Sequence, residues 1–159
     1  MKYLFRLAKY LRKFVLYRIL RRQTHGVRVI LHDGNKILLV KHPYDDFWVF
    51  PGGGVRCNEN PVVAGAREVL EETGYSIIGD MKMLGEYINK SGGKNDIVTV
   101  FIAEKFMRAK TKQKLLDKIE IEKCQWFEME KLPEISSATK KRITELASNQ
   151  YENKIIDWN

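Results

Sequence analysis

The sequence predicts an α/β fold in which a mixed β-sheet lies between helices on both faces, preceded by a basic amphipathic helix. Three observations support this prediction. Apolar runs of strand length recur along the chain, one capped helix interrupts them, and an amphipathic helix follows them. At 159 residues the chain has the size of a single domain. We assign residues 1–22 to the N-terminal helix and residues 23–159 to the domain.

The charge imbalance of the chain lies in residues 1–22. This segment holds eight basic residues and no acidic one, so 20 of the 28 basic residues remain elsewhere, against 20 acidic ones. The net charge of +8 therefore belongs to the segment and does not indicate nucleic-acid binding by the domain. At 3.6 residues per turn, its basic and apolar side chains occupy different faces of a helix.

Two interpretations of this helix remain open. It can lie on an anionic membrane surface, or it can pack its apolar face on its own domain or on a second subunit. Charges interrupt each apolar run, so no membrane-spanning helix is predicted. The segment also lacks the separated basic and apolar regions of a secretory signal peptide, and its many lysines and absent serine disfavour a mitochondrial transit peptide.

Strand patterns occupy much of the remaining chain. Six apolar or alternating runs predict strands: 27–31, 37–40, 47–50, 83–88, 97–103 and 125–128. Asp33-Gly34-Asn35 between the first two runs is a β-hairpin signal. The helix over 136–148 is predicted to bury three apolar residues, Ile143, Leu146 and Ala147. Apolar residues within 151–159 suggest that the tail docks on the domain.

The helix near the middle of the chain has strong start and stop signals. Asn60 can cap its first turn, and Pro61 suits its first position because the N–H that proline lacks would be unpaired there. Gly74 follows the last periodic residue, where a left-handed residue commonly ends a helix. Its apolar residues are predicted to share one arc: Val62, Ala66, Val69 and Leu70.

Three glutamates of this helix form a candidate metal site. Glu68, Glu71 and Glu72 are spaced i, i+3 and i+4, so their carboxylates are predicted to gather on the arc opposite the apolar residues. A bound Mg²⁺ or Mn²⁺ removes the repulsion between them, because hard cations prefer carboxylate oxygens. A solvated acidic face is the alternative. The preceding Pro51-Gly52-Gly53-Gly54 favours the metal site, since glycines let the backbone approach a ligand closely.

The stretch from Gly53 to Tyr75 resembles the Nudix box, the signature of the Nudix hydrolases. The pattern is Gly53-x5-Glu59-x7-Arg67-Glu68-Val69-Leu70-Glu71-Glu72-x-Gly74-Tyr75. Tyr75 is the one departure, since the family usually has an aliphatic residue at this core contact. Around the box the resemblance runs from about Thr24 to Pro133, through Trp48-Val49-Phe50-Pro51-Gly52-Gly53, Trp126-Phe127 and Leu132-Pro133. It implies the Nudix α/β/α sandwich.

The resemblance also implies roles for single residues. Glu71 and Glu72 would be metal ligands for Mg²⁺ or Mn²⁺, with the carbonyl of Gly52 as a further ligand. Glu68 would be either another ligand or the catalytic base. Arg67 would orient that carboxylate by a charge-assisted hydrogen bond.

Three further glutamates are assigned from the same resemblance. A fourth catalytic carboxylate often precedes the late tryptophan strand, and Glu120, six residues before Trp126, matches that position. Glu122 is the fallback, although we interpret it as a surface glutamate. Glu59 is expected to pair within the loop–helix unit rather than to act in catalysis.

The implied activity is that of a pyrophosphohydrolase. Water would attack phosphorus in a diphosphate linkage of a nucleoside di- or triphosphate or a nucleoside diphosphate derivative. The alternative is a catalytically idle domain that binds nucleotide as a membrane-associated or regulatory module; an isomerase is a third option.

Two features of the sequence bear on the choice of substrate, and each has a second interpretation. Basic residues between 105 and 114 would meet phosphates or form a solvated loop, and Phe47, Trp48 or Tyr87 would stack on a base or lie in the core.

The remaining reactive side chains predict a cytoplasmic protein without further metal sites. Cys57 and Cys124 lie far apart without metal-ligand spacing, so they are predicted to be free thiols in a reducing compartment. His25, His32 and His42 are scattered and are predicted at surface or loop positions. Peripheral contact with the inner face of the membrane is expected if the N-terminal helix binds lipid.

Overall fold

The computed structural model describes residues 24–43, 45–89, 96–109, 121–148 and 155–158. The predicted N-terminal helix lies outside these residues, as do Glu120 and the basic residues Lys110, Lys112 and Lys114. Within the described parts of the chain, no helix is both long and apolar enough to cross a membrane.

The described residues form eight strands and two helices, joined by loops. The strands are β1 (His25–Asp33), β2 (Lys36–Lys41), β3 (Tyr75–Ile77), β4 (Lys82–Asn89), β5 (Asp96–Ala103), β6 (Phe106–Arg108), β7 (Lys123–Glu128) and β8 (Ile155–Asp157). The helices are α1 (Pro61–Thr73) and α2 (Ser137–Ala147).

Six of the strands form one mixed sheet in the order β7-β2-β1-β5-β4-β8. The pairs β1–β5 and β4–β8 are parallel, while β1–β2, β2–β7 and β4–β5 are antiparallel. The predicted hairpin is confirmed, because β1 pairs with β2 and Gly34 takes a positive φ of 60° between them. The tail also docks as predicted, since β8 extends the sheet at its edge.

The strand prediction differs from the structure at residues 47–50 and at three short strands. Residues 47–50 form isolated bridges, Val49 with Val40 and Trp48 with Ile135. The strands β3 and β6, which pair with each other, and the strand β8 in the tail were not predicted as strands. Three-residue segments are too short to show a period, so their pairing depends on the contacts that the folded chain provides.

Within the described residues, one helix covers each face of the sheet. Along β1, Val27 and Val29 contribute to the core that contains Ala64 and Val69 of α1, whereas Ile30 contributes to the core beneath α2. This alternation follows from the two-residue period of a strand. The predicted α/β/α arrangement is therefore confirmed.

The helix α2 differs from the prediction on its buried face. Ser136 caps it by accepting a hydrogen bond from the backbone N–H of Thr139, and Ile143 and Leu146 are buried as predicted. Ala147, however, is exposed. Arg142 is buried instead, with only 1% of its surface exposed.

Aromatic rings and one carboxylate enclose the buried guanidinium of Arg142. Its Cζ atom lies 3.8 Å from the ring centroid of Tyr87, and Trp158 of the tail packs edge-on against the same tyrosine. Glu145 accepts hydrogen bonds from Arg142 Nη2 at 2.7 Å and from the Tyr87 hydroxyl at 2.7 Å. The charge is thus compensated by a cation–π contact and an ion pair.

We expect Glu145→Gln to lower the free energy of unfolding by about 2–3 kcal/mol, because it leaves the charge of Arg142 buried without its counter-ion. Urea unfolding would measure the loss. Glu128→Gln is the matched control: it breaks another i, i+3 pair, but that pair, with Lys131, is exposed and its loss should cost less than about 0.5 kcal/mol. Equal losses in both variants would contradict the expectation.

Candidate active site

The glycine-rich loop runs beside β1 as if it were a short extra strand. The backbone N–H of Val27 donates to the carbonyl of Gly53 at 2.9 Å, and that of Val29 donates to the carbonyl of Pro51 at 2.9 Å. Gly52 between these anchors has a φ of 145°, and a Cβ atom there would lie 2.1 Å from the carbonyl oxygen of Val27. The loop can follow this path only with glycine at position 52.

Two glutamates of α1 face this loop from successive turns of the helix. The backbone N–H of Gly52 donates to Glu72 Oε2 at 2.9 Å. Glu68 stands so close to Gly53 that a Cβ atom on this glycine would lie 2.6 Å from the carboxyl group. The side chains of Glu68 and Glu72 are only 15% and 9% exposed. The carboxylates of Glu68 and Glu72 therefore pack against the backbone of residues 52–53.

This arrangement corrects the predicted orientation of α1. The buried residues of the helix are Ala64, Gly65, Val69 and Thr73, whereas Val62 and Leu70 are exposed. The acidic residues do not lie opposite the buried face; Glu68 and Glu72 adjoin it. The physical reason is that the loop supplies a hydrogen-bond donor, the N–H of Gly52, to the Glu72 carboxylate, so this partly buried acid costs less than the pattern implies.

Arg67 joins the acidic residues to one another. Its Nε and Nη2 atoms form a two-pronged pair with the carboxylate of Glu59, both at 2.8 Å. Its Nη1 atom donates to Glu68 Oε1 at 2.6 Å and to Glu71 Oε2 at 3.3 Å, and Nη2 also donates to the carbonyl of Gly54. The pairing predicted for Glu59 is confirmed, and the hydrogen bond predicted between Arg67 and Glu68 is present.

The pKa values of two carboxyl groups at the site are shifted in opposite directions. Hydrogen bonds from Arg67 and from the backbone N–H of Arg56 lower the pKa of Glu59 to about 2. Burial raises the pKa of Glu68, although its hydrogen bond to Arg67 opposes the rise. A raised pKa brings a carboxylate closer to the value that suits a general base near neutral pH.

We expect Glu59→Gln to flatten the acid side of the stability profile. A carboxyl group with a lowered pKa stabilises the folded state above its unfolded pKa, and this contribution disappears as the pH falls from 4.5 toward 2. Glu68 acts with the opposite sign, since a raised pKa makes its contribution fall as the pH rises. Urea unfolding of the wild type and of Glu59→Gln between pH 2 and 6 measures the contribution of Glu59. Glu130→Gln, in an exposed turn, should keep the wild-type slope; an unchanged slope in Glu59→Gln would contradict the assignment.

Two residues at the site have contacts that the sequence did not predict. His42 lies in the loop directly after β2, in agreement with the loop alternative, but it is buried there, with Nε2 3.8 Å from Glu72 Oε1. Arg28 was not predicted at all, and its Nη1 atom donates to the carbonyl of Gly52. One signal pointed to it, namely a single arginine within the apolar run 27–31.

The donor atoms of the site fit a hard divalent cation in their chemistry. The carboxylates of Glu68, Glu71 and Glu72 and the carbonyl of Gly52 are oxygen ligands of the kind that Mg²⁺ and Mn²⁺ prefer. As they stand, no three His, Cys, Asp or Glu side chains of the described chain converge closely enough to hold an ion. Guanidinium groups occupy these oxygens instead: Arg67 bridges Glu68 and Glu71, and Arg28 binds the carbonyl.

The other predicted contacts fall outside this cluster. Glu122 is exposed, as expected of a surface glutamate, and Trp48 and Tyr87 are buried in the core. Tyr75, the departure from the Nudix pattern, accepts a hydrogen bond from Trp126 Nε1 at 3.2 Å and packs at the edge of the core beneath α1. The predicted ligands and Arg67 thus share one loop–helix unit, while Glu120 lies beyond the described residues.

Comparison with known proteins decides the family. The family model described as "NUDIX domain" matches residues 22–147, which is most of the chain. The chain belongs to the Nudix family. The match begins just before β1 and ends at the last residue of α2, so this Nudix domain includes both helices and the whole candidate site.

Relatives and solved structures agree with this membership. The chain is 42% identical over 64 residues to the RNA pyrophosphohydrolase of Hydrogenovibrio crunogenus, covering 40% of this chain and 38% of that protein. It is 33% identical over 99 residues to diphosphoinositol polyphosphate phosphohydrolase 2 of Rattus norvegicus, covering 60% and 51%. A NUDIX hydrolase structure from Nitrosomonas europaea superposes with a TM-score of 0.69 at 21% identity, over 83% of this chain and 93% of that one, and shows the fold.

Proposed function

We propose that this Nudix protein hydrolyses a diphosphate linkage in a nucleoside di- or triphosphate or a nucleoside diphosphate derivative, using a divalent cation. The observation that carries the proposal is the pair Glu68 and Glu72, held against the Gly52–Gly53 backbone, with Glu68 also bonded to Arg67. A surface helix needs neither partly buried glutamates nor a loop that only glycine can form. Both features suit a site in which negative charge must be concentrated and then neutralised.

Glu71, Glu72 and the carbonyl of Gly52 would hold Mg²⁺, with Glu68 as a further ligand in the alternative where it is not the base. When bound, the ion supplies positive charge to the phosphate oxygens and so favours attack by water. Glu71 suits a ligand because its side chain is 37% exposed and can meet a phosphate-bound ion at the surface.

In this proposal, side chains of the protein accept the proton of the attacking water and orient the group that accepts it. Glu68 accepts a proton from water as the water oxygen bonds to phosphorus and the bond from phosphorus to the bridging oxygen breaks. Arg67 keeps the Glu68 carboxylate oriented through the bond at Nη1, while its two bonds to Glu59 hold the guanidinium itself in place. The leaving phosphate group carries away the electron pair of the broken bond.

We infer the class of substrate by analogy with the family rather than from a pocket. Similar proteins are described as RNA pyrophosphohydrolase and diphosphoinositol polyphosphate phosphohydrolase, whose shared chemistry is the cleavage of a phosphoanhydride. This chain spans 38% and 51% of those two proteins, so we carry over only the bond that is cleaved. A nucleotide is the default ligand by analogy.

Incubation of the full chain with Mg²⁺ and a panel of phosphoanhydrides tests the proposal. The panel holds nucleoside tri- and diphosphates, dinucleoside polyphosphates, nucleoside diphosphate sugars and 5′-triphosphorylated RNA, with released phosphate, pyrophosphate and nucleotide separated by chromatography. We expect turnover of at least one member, lost in a chelator and restored by added Mg²⁺. Nucleotide binding without turnover would instead support the idle binding module.

A further inference from the structure

Arg28 is the second guanidinium at the site and lies on a different element from the Nudix helix. It occupies the middle of the paired part of β1, opposite Val100 of β5, and its neighbours Val27 and Val29 are fully buried toward α1. Because side chains alternate along a strand, Arg28 projects on the other side of the sheet from α1. Its Nη1 atom donates to the carbonyl of Gly52, next to the peptide on which Glu72 rests.

The carbonyl of Gly52 differs from its two neighbours in the glycine loop in its hydrogen-bond partner. The carbonyls of Pro51 and Gly53, on either side, accept hydrogen bonds from the backbone of β1. The N–H of Gly52 is bonded to Glu72. Between these two anchored carbonyls, the Gly52 oxygen instead accepts a hydrogen bond from a side-chain cation, Arg28, just as the Gly54 oxygen accepts one from Arg67.

The charge of Arg28 also reaches the acidic cluster. It is among the groups that lower the pKa of Glu68, against the larger effect of burial. On the opposite flank, Arg67 binds Glu59, Glu68 and Glu71. Two arginines thus provide positive charge at the oxygens that the proposed function gives to a divalent cation.

We propose that Arg28 is a positioning residue that competes with the divalent cation for the carbonyl oxygen of Gly52. The guanidinium holds this oxygen when the cation is absent and leaves it when the cation binds, since two positive groups on one oxygen repel each other. The inference rests on the proposed function, because it requires the cation to use this carbonyl. Arg28 therefore weakens the affinity for metal and stabilises the loop before metal arrives.

Titration of the full chain with Mn²⁺, without nucleotide, tests this competition. Free Mn²⁺ is measured by electron paramagnetic resonance, and far-UV circular dichroism verifies folding. We expect Arg28→Ala to bind Mn²⁺ about tenfold more tightly than the wild type. Arg28→Gln keeps the stem and removes the charge, and carries the same expectation if alanine destabilises the sheet. Arg28→Lys should return the affinity toward that of the wild type.

Arg56 offers a matched control for simple charge removal. Its Nη2 atom lies 3.8 Å from Glu71 Oε1, but its side chain is 67% exposed, so Arg56→Ala should change the Mn²⁺ affinity by less than about threefold. Unchanged or weaker Mn²⁺ binding in both Arg28→Ala and Arg28→Gln, beside a wild type that binds the ion, would overturn the inference alone. An equal gain in Arg56→Ala would also overturn it. Absence of Mn²⁺ binding from every variant would overturn the proposed function together with the inference.

Discussion

Glu72→Gln is expected to lower kcat by about 10³-fold or more, while the protein stays folded. Glutamine keeps the size of the side chain and an oxygen that can still accept the hydrogen bond from the N–H of Gly52. It removes the negative charge that would hold the cation against the substrate. Stabilisation of charge by a metal ion is worth several kcal/mol, and about 4 kcal/mol corresponds to a factor of about 10³ in rate.

Steady-state hydrolysis of the best substrate from the panel, at saturating Mg²⁺, measures this effect. Glu130→Gln removes the same charge from an exposed turn far along the chain and should retain wild-type kcat. A Glu72→Gln variant with kcat within tenfold of the wild type would contradict the role assigned to this carboxylate. A melting temperature close to that of the wild type, measured in parallel, separates lost chemistry from lost fold.

Gly52→Ala is expected to destabilise the fold by about 4 kcal/mol or more. Its new Cβ atom would lie 2.1 Å from the carbonyl oxygen of Val27 and 2.9 Å from the Cα atom of Arg28. Both are backbone atoms of a central strand, so neither can rotate away as the end of a side chain can. The φ of 145° adds strain, because residues with a Cβ atom rarely adopt it.

Urea unfolding of the two proteins measures this loss, and a second glycine separates its two causes. Gly34 also has a positive φ, of 60°, but a Cβ atom there would meet nothing within 4 Å. Gly34→Ala should therefore cost only the conformational penalty, about 1–2 kcal/mol. A Gly52→Ala protein no less stable than Gly34→Ala would show that the loop does not lie against β1 as described.

The limits of α1 could be predicted because helix ends are set by local chemistry. Asn60 accepts a hydrogen bond from the N–H of Val62, and Gly74 ends the helix in the left-handed conformation, both as expected. The rotation of the helix could not be predicted in the same way. Hydrophobic period placed Leu70 inward, whereas the structure exposes it and turns Glu72 toward the loop.

The helix α2 likewise has some features that its own sequence pattern predicts and one that depends on distant parts of the chain. The cap at Ser136 and the burial of Ile143 follow from sequence pattern. The burial of Arg142 does not, because its compensation comes from Tyr87 on β4, 55 positions earlier in the chain, and from Trp158 in the tail. A pattern within one helix carries no information about such partners.

Local sequence patterns were enough to predict the capped helix, the spacing of its three glutamates and the glycine loop before it, and these features carry the resemblance to the family that the comparison confirms. These depend on bonds between residues close in the chain, where spacing sets geometry. No sequence pattern predicted three contacts of the folded protein: Arg28 donates to the carbonyl of Gly52, His42 lies beside Glu72, and Glu68 and Glu72 face the glycine loop. These contacts join separate elements, and the folded sheet alone brings their charges and hydrogen-bond donors together.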